Sequence, residues 1–341
     1  MRSEKPLVYN MRPQTSQENG RACKGRRQFP QIIDCKPVST YTGRVTPRPL
    51  AAAFLLGAVT LASVPALAQT LQKSLYVSVV DKAGAPAADL GPTDFVIRED
   101  NVAREVLKAV PADDPIQVAV LVDNSSVARD QIPYLREAVP AFIGSIIGAN
   151  PRNQVAVVAF GERPTILADY TSNTADLKKG TDLIWSRPAT GPYLLDAIFE
   201  TARGIAKREA ARPIIVVLAA EGQELSYRHD DDVLDQLAKS GAQLYVLMIG
   251  QPFNSVNEEA RSRERVIGVG PERSGGSREQ LLTAISLTSR LTRLADQLTH
   301  QYRVTYARPQ TLIPPEHVTV AAKAAGLTAH GAPAKDPQAR Q

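Results

Sequence analysis

Between Ile116 and Ile249 the chain alternates short, unbroken apolar runs with longer stretches whose apolar residues recur every three to four positions. The runs are Ile116–Val122 (IQVAVLV), Val155–Phe160, Pro213–Ala219 and Leu244–Ile249. Such a run without polar alternation suits a strand buried on both faces, the usual state in a parallel sheet. Between the first two runs, Ile132, Leu135, Val139, Phe142, Ile143 and Ile146 fall on one helical face. Asn173 to Trp185, Tyr193 to Lys207 and Asp231 to Lys239 read as further helices, the last closed by Gly241. Thr165 to Asp169 is short and more polar, as an edge strand is. This alternation predicts an α/β fold: a doubly wound, mainly parallel sheet with helices on both faces.

Both flanks carry a different pattern. Leu75–Val80, Phe95–Arg98 and Glu105–Val110 precede the α/β region, and Gln301–Tyr306 and Val318–Ala321 follow it; all are short and β-prone. Asp81–Gly84 reads as a turn, and Glu99-Asp100-Asn101 as the hairpin turn between the second and third segments. These strands hold too little apolar area to stand alone. The two flanks are expected to pair, inserting the α/β domain into a small β-sandwich-like unit. Tyr302 and Tyr306 share one strand face and are expected to pack between that unit and the α/β core. Gln251 to Gly276, rich in Gly, Ser and Arg, reads as a long loop, and Arg278 to His300 as a long helix. The tail from Ala332 is polar and expected to be disordered. The organisation is therefore 1–68 leader, 69–114 β segment, 115–306 α/β domain, and 307–341 β segment and tail.

Charge changes the picture at the N-terminus. The formal net charge is +5, but ten basic residues and only three acids lie in residues 1–68, so the remainder is slightly acidic. The basic balance is no sign of nucleic-acid binding. Arg44 and Arg48, the apolar stretch Leu50–Leu61 and Ala66-Leu67-Ala68 have the three parts of a secretory signal peptide, with cleavage expected after Ala68. The mature protein is then secreted or periplasmic, with no stable membrane span. Residues 1–44 make an improbably long preamble, which a translation start near Val45 explains. Cys23 and Cys35 both lie in the leader, so the mature chain has no thiol chemistry and no disulfide.

Ligands of open α/β sheets bind beyond the carboxyl ends of the strands, which here places Asp123-Asn124-Ser125-Ser126 at the binding edge. An acid closing the first strand, small hydroxyl residues after it, and this strand order resemble the von Willebrand factor type A family. VVDKAGAPAADLGPTDFVIRED before the domain, and Ser274-Gly275-Gly276 and QYRVTY near its end, resemble the flanks of a bacterial secreted subfamily. The resemblance covers about residues 73–322. It implies a metal-ion-dependent adhesion site made of Asp-x-Ser-x-Ser after the first strand, a Thr before a middle helix and an Asp after a later strand. Asp123 and Ser125 match. Val127 stands at the second Ser position, Pro192 at the Thr position (Leu194-Leu195-Asp196-Ala197 sets the register, with Thr190 two residues earlier) and Glu221 at the late Asp. Mg²⁺ requires near-octahedral oxygen ligands, so the site is expected to be degenerate, with no cofactor; if a metal does bind, Asp123, Ser125 and Glu221 are the ligands.

The function expected is a non-enzymatic, metal-independent protein-interaction module. Its surface is expected to comprise Asp123, Asn124, Ser125, Ser126, Thr190, Tyr193, Glu221 and Glu224, and its partner to be a protein and not nucleic acid. The alternatives are a Mg²⁺-dependent adhesion domain and, without support from any Gly-x-Ser-x-Gly elbow or a His beside Ser125, an α/β hydrolase. Asp230-Asp231-Asp232 after His229 is read as the acidic start of a helix, and GPERSGGS at 270–277 lacks the Lys of a phosphate loop.

Overall fold

The computed structural model describes residues 70–334 except residues 209, 254, 311, 312, 314 and 316. The expected leader, its cleavage site and both cysteines lie outside the described residues. No helix among those described is long and apolar enough to cross a membrane.

The central sheet contains β5 (Ile116–Val122), β6 (Gln154–Ala159), β7 (Thr165–Thr171), β8 (Arg212–Ala220), β9 (Gln243–Ile249) and β10 (Ser277–Leu281). Their order is β10-β9-β8-β5-β6-β7, all parallel except the edge strand β7. Every residue of β8 and β9 is buried, which explains their uninterrupted apolar runs. Helices α1 (Ile132–Ala149), α2 (Thr174–Asp182) and α6 (Leu287–Thr299) close one face over Val118, Val120 and Val122. Helices α3 (Leu194–Arg208), α4 (Asp230–Ser240) and α5 (Glu258–Ser274) close the other over Ala119 and Leu121. The doubly wound α/β expectation is met.

The flanks pair with each other, as expected. β1 (Thr70–Val80) lies between β11 (Tyr302–Pro309) and β13 (Thr328–Pro333), with β4 (Val106–Pro111) beyond β11. A second sheet holds β12 (Val318–Ala322), β2 (Phe95–Glu99) and β3 (Val102–Arg104). The sheets share a core of Leu75, Val77, Phe95, Ile97, Val304 and both tyrosines. Tyr302 and Tyr306 therefore pack inside the sandwich, and not between it and the α/β domain. Tyr302 meets the Phe95 ring at 5.7 Å and donates to the Ala87 carbonyl, and Tyr306 donates to buried Glu99.

Four local expectations are corrected. The span 251–276 is mostly the helix α5, started by Asn257, whose side chain accepts from Ala260 N, and ended by Gly275 in a left-handed conformation. Its polar sequence with Gly268, Gly270 and Pro271 hides the helix, because it packs through small residues; a Cβ on Gly270 would come to 3.0 Å from Leu244 Cδ2. The helix expected over 278–300 is a polar edge strand, β10, then a 3₁₀ turn and α6. The hairpin turn at Asp100-Asn101, both at positive φ, leads into the short strand β3; β4 then crosses to the other sheet. The tail is not disordered at Ala332: β13 runs through it, paired with β1.

One side chain ties the inserted domain to its sandwich. Arg212, at the start of β8, is 4% exposed. It donates to the carbonyls of Asp114 and Ala112 where the chain enters the domain, and to Leu298 O and Gln301 Oε1 where it leaves. Its guanidinium lies 5.2 Å from the Tyr76 ring of β1. Gln301 extends the network to Ser78 and Gln243.

Candidate functional site

Asp123 follows β5 at the carboxyl edge of the sheet and is fully buried. Both its oxygens are spent on main-chain amides, Oδ1 accepting from Ser125 N at 2.9 Å and Oδ2 from Ala220 N at 3.1 Å. Burial raises its pKa, with those amides and the nearby Arg263 charge opposing the rise. Asp123 thus ties the loop after β5 to the end of β8. Asn124 ties the same loop sideways: its Oδ1 accepts from Gly161 N, and its Nδ2 donates to Trp185 O. Gly161 is a residue that the sequence reading missed. A Cβ there would come to 2.4 Å from Ser125 N, so this crossing of two loops requires glycine. Ser126 donates to the Thr190 carbonyl, and Thr190 Oγ1 donates to Arg187 O.

Ser125 is fully buried, and its hydroxyl has no hydrogen-bond partner. His229 and His300 face Glu258 and Asp296, so neither completes a nucleophilic pair with Ser125. Val127 is 43% exposed and packs over Gly222, where a Cβ would meet its Cγ1 at 3.0 Å. Pro192 is buried and offers only its carbonyl, which accepts from Leu225 N.

Glu221 follows β8, and its carboxylate pairs with Arg263 of α5: Nη2 to Oε2 is 2.9 Å, with the two side chains 3% and 4% exposed. The same oxygen accepts from Phe253 N, while Oε1 is buried without a partner. Arg263 is the second residue the sequence reading missed. Its signal was legible once α5 is a helix, because Ala260, Arg263, Ile267 and Gly270 form one buried stripe at three-to-four spacing.

Glu224 is 2% exposed and presents no face to solvent. Its Oε1 accepts from Ser226 N, and Oε2 has no partner. Ser226 Oγ accepts from Asp196 N in the first turn of α3, and Arg228 pairs with Asp196 and Glu200. The 221–229 loop therefore caps and clamps α3. Of the expected surface, Asp123, Asn124, Ser125, Glu224 and the Glu221 side chain are buried and shape the loops from within, whereas Ser126, Thr190 and Tyr193 are partly exposed. Val127, Thr190, Tyr193, Gln223 and Leu225 line an open cavity of about 500 Å³ on this edge.

Burial also raises the pKa of Glu224. In the unfolded chain this acid ionises near 4.5; in the native state it does so only at higher pH. Its contribution is thus fully present below about pH 4.5 and is lost as pH rises through the native pKa. Glu224→Gln keeps the Oε1 acceptor and removes the buried charge. The variant should gain stability over the wild type progressively as pH rises from 4 to 8, read as urea midpoints. Parallel pH curves for the two would contradict this assignment.

Residues 118–223 match the family model of the von Willebrand factor type A domain, and this match joins the strand order and the Asp-x-Ser loop already described. The domain has the von Willebrand factor type A fold. Solved structures similar to the chain include a von Willebrand factor type A protein from Catenulispora acidiphila, at 11% identity over 77% of this chain and 74% of that one, TM-score 0.45. BatB from Bacteroides thetaiotaomicron is 14% identical over 53% and 98%, TM-score 0.41. The PilB minor pilin from Streptococcus sanguinis is 12% identical over 56% and 62%, TM-score 0.40. No curated protein matches the sequence.

The Mg²⁺ that a type A domain commonly holds can be tested against these side chains. The ion needs about six oxygens near 2.0–2.1 Å. Here Ser125 Oγ and Glu221 Oε1 are without partners, but Asp123 accepts an amide at each oxygen, Glu221 Oε2 is drawn to an arginine, and Val127 and Pro192 supply no side-chain oxygen, so these positions fall short of an octahedral set. Among the described residues no three His, Cys, Asp or Glu side chains gather as a metal-binding group. The donor set does not fit Mg²⁺.

Proposed function

We propose that the chain is a secreted or periplasmic, non-enzymatic type A domain that binds a protein partner through the carboxyl edge of its sheet, without a metal. Type A domains are generally protein-interaction modules, and this chain shares their fold. The observation that carries the metal-free reading is the buried Arg263–Glu221 pair. A guanidinium supplies the positive charge beside Asp123 and Glu221 that a cation would otherwise supply, and it does so from inside the protein.

The carboxyl edge also carries exposed apolar side chains. Val127, Trp185, Tyr227, Phe253, Leu282 and Ile285 all follow strand or helix ends on this side and all are exposed, Tyr227 by 89%. Large apolar side chains collected at one edge mark an interaction surface, and Trp and Tyr are favoured anchors of such surfaces. Arg136 lies 4.1 Å over the Trp185 ring and holds it in place.

Affinity capture from an envelope extract, with the full chain as bait, tests this. The same partner is expected with and without chelator, and Trp185→Ala should reduce its recovery. A partner released by chelator, or retained in full by Trp185→Ala together with Phe253→Ala, would contradict the reading.

A further inference from the structure

Beside the open cavity lined by Val127 and Leu225 lies a second one, of about 420 Å³. The two meet at Glu162 and Tyr193, which line both. Their chemistry differs. The first offers aliphatic groups of Val127, Ala189, Pro192 and Leu225. The second is lined, besides Glu162 and Tyr193, by Arg163, Thr165 and Arg187. Two guanidinium groups against one carboxylate leave it with a net positive charge.

Main-chain bonds set these walls before any partner arrives. Tyr193 N donates to Phe160 O, Arg187 N to Asn124 O, Ser126 N to Thr190 O and Leu225 N to Pro192 O. Thr165 Oγ1 donates to the carbonyl of Arg163 and holds the turn that presents this arginine. A pre-formed cleft costs a partner little ordering. The two arginines are not equivalent. Arg187 pairs with Glu162, Nη1 to Oε2 at 3.2 Å. Arg163 is exposed, and its guanidinium makes no hydrogen bond or ion pair among the described residues. One positive charge is therefore unspent, beside a tyrosine and an aliphatic cavity.

We infer that this double cavity receives an acidic segment of the protein partner: an aliphatic side chain enters beside Val127 and Leu225, and a neighbouring Asp or Glu carboxylate accepts from Arg163 at the adjoining rim. The inference rests on the carboxyl edge being the partner's binding surface, and it adds the partner's chemistry. A basic segment would be repelled by the unspent charge, and a wholly apolar one would cover that charge without pairing it.

Selection of phage-displayed random linear peptides on the immobilised full chain tests it, with EDTA present so that no metal can bridge a carboxylate. The enriched peptides are expected to carry Asp or Glu close to Leu, Ile or Val. The best of them, synthesised and followed by fluorescence anisotropy, should bind Arg163→Glu about tenfold more weakly than the wild type. Arg163→Lys, which keeps the charge but not the guanidinium fork, should fall between the two. Val127→Asn should also weaken binding several-fold. Affinity should drop as NaCl is raised, with a flatter dependence in Arg163→Glu. No enrichment, enrichment without acidic residues, or affinity that Arg163→Glu leaves unchanged would each overturn the proposal. Capture of the partner from the envelope extract separates this from the reading it rests on. Recovery undiminished by Arg163→Glu but lost in Trp185→Ala with Phe253→Ala would overturn the acidic-segment proposal alone, whereas recovery retained in that double variant would overturn the edge as the binding surface and this proposal with it.

Discussion

Arg263→Met is expected to destabilise the full chain by about 3–5 kcal/mol at neutral pH, the usual cost of leaving one member of a buried ion pair without its partner. The residue stranded is Glu221, whose side chain is 4% exposed and whose second oxygen already lacks a partner. Asp123 and Glu224 lose a compensating charge as well, because Arg263 lowers the pKa of both against the rise that burial imposes. Two further outcomes separate this from a packing defect. Glu221→Gln in the Arg263→Met background should recover much of the loss, since no uncompensated charge then remains at that position. The single variant should also lose less at pH 4 than at pH 7, because Asp123 and Glu224, both raised by burial and both compensated by Arg263, are protonated at the lower pH. Urea denaturation at both pH values reads all three. A cost of under about 1 kcal/mol, or a second substitution that merely adds to the first, would mean that the pair is incidental.

The next largest effect is expected at the opposite end of the sheet. Arg212→Leu should cost about 4 kcal/mol, through the orphaning of buried acceptors at Asp114, Leu298 and Gln301. Its location makes the consequence more than local. These acceptors lie on the chain segments entering and leaving the α/β domain, so the variant should loosen the joint between the domain and the β-sandwich. Hydrogen exchange is the discriminating measurement: amide protection should fall in β1, β4 and β11 together with the start of β8. Loss of protection confined to β8 would show that the joint does not depend on this side chain.

The fold was largely legible because its signals are redundant. β5, β8 and β9 are buried on both faces, so their apolar runs have no competing reading, and α1 displays a full stripe. The elements that depart from expectation are the ones stabilised by context. Helix α5 carries few large apolar residues and packs through Ala260, Gly270 and a buried arginine, so its periodicity is hidden by its chemistry. Its two caps, Asn257 and Gly275, are nevertheless visible in the sequence. Strand β10 is a polar edge strand whose pairing with β9 is visible only in three dimensions. The same limit applied at the site. Asp123 and Glu221 could be placed from register alone, but their partners could not. Glu221 is answered by a residue 42 positions later, on a helix whose polar sequence reads as a loop, and the requirement for glycine at 161 comes from a loop crossing with Ser125.

We propose that an internal arginine, Arg263, takes the place of a cation at the carboxyl edge of this sheet. Calorimetric titration of the full chain with Mg²⁺ and with Mn²⁺ tests it most directly. No saturable heat is expected up to millimolar metal, and Asp123→Ala should leave that result unchanged. Saturable binding at millimolar or tighter affinity that disappears in Asp123→Ala would contradict it.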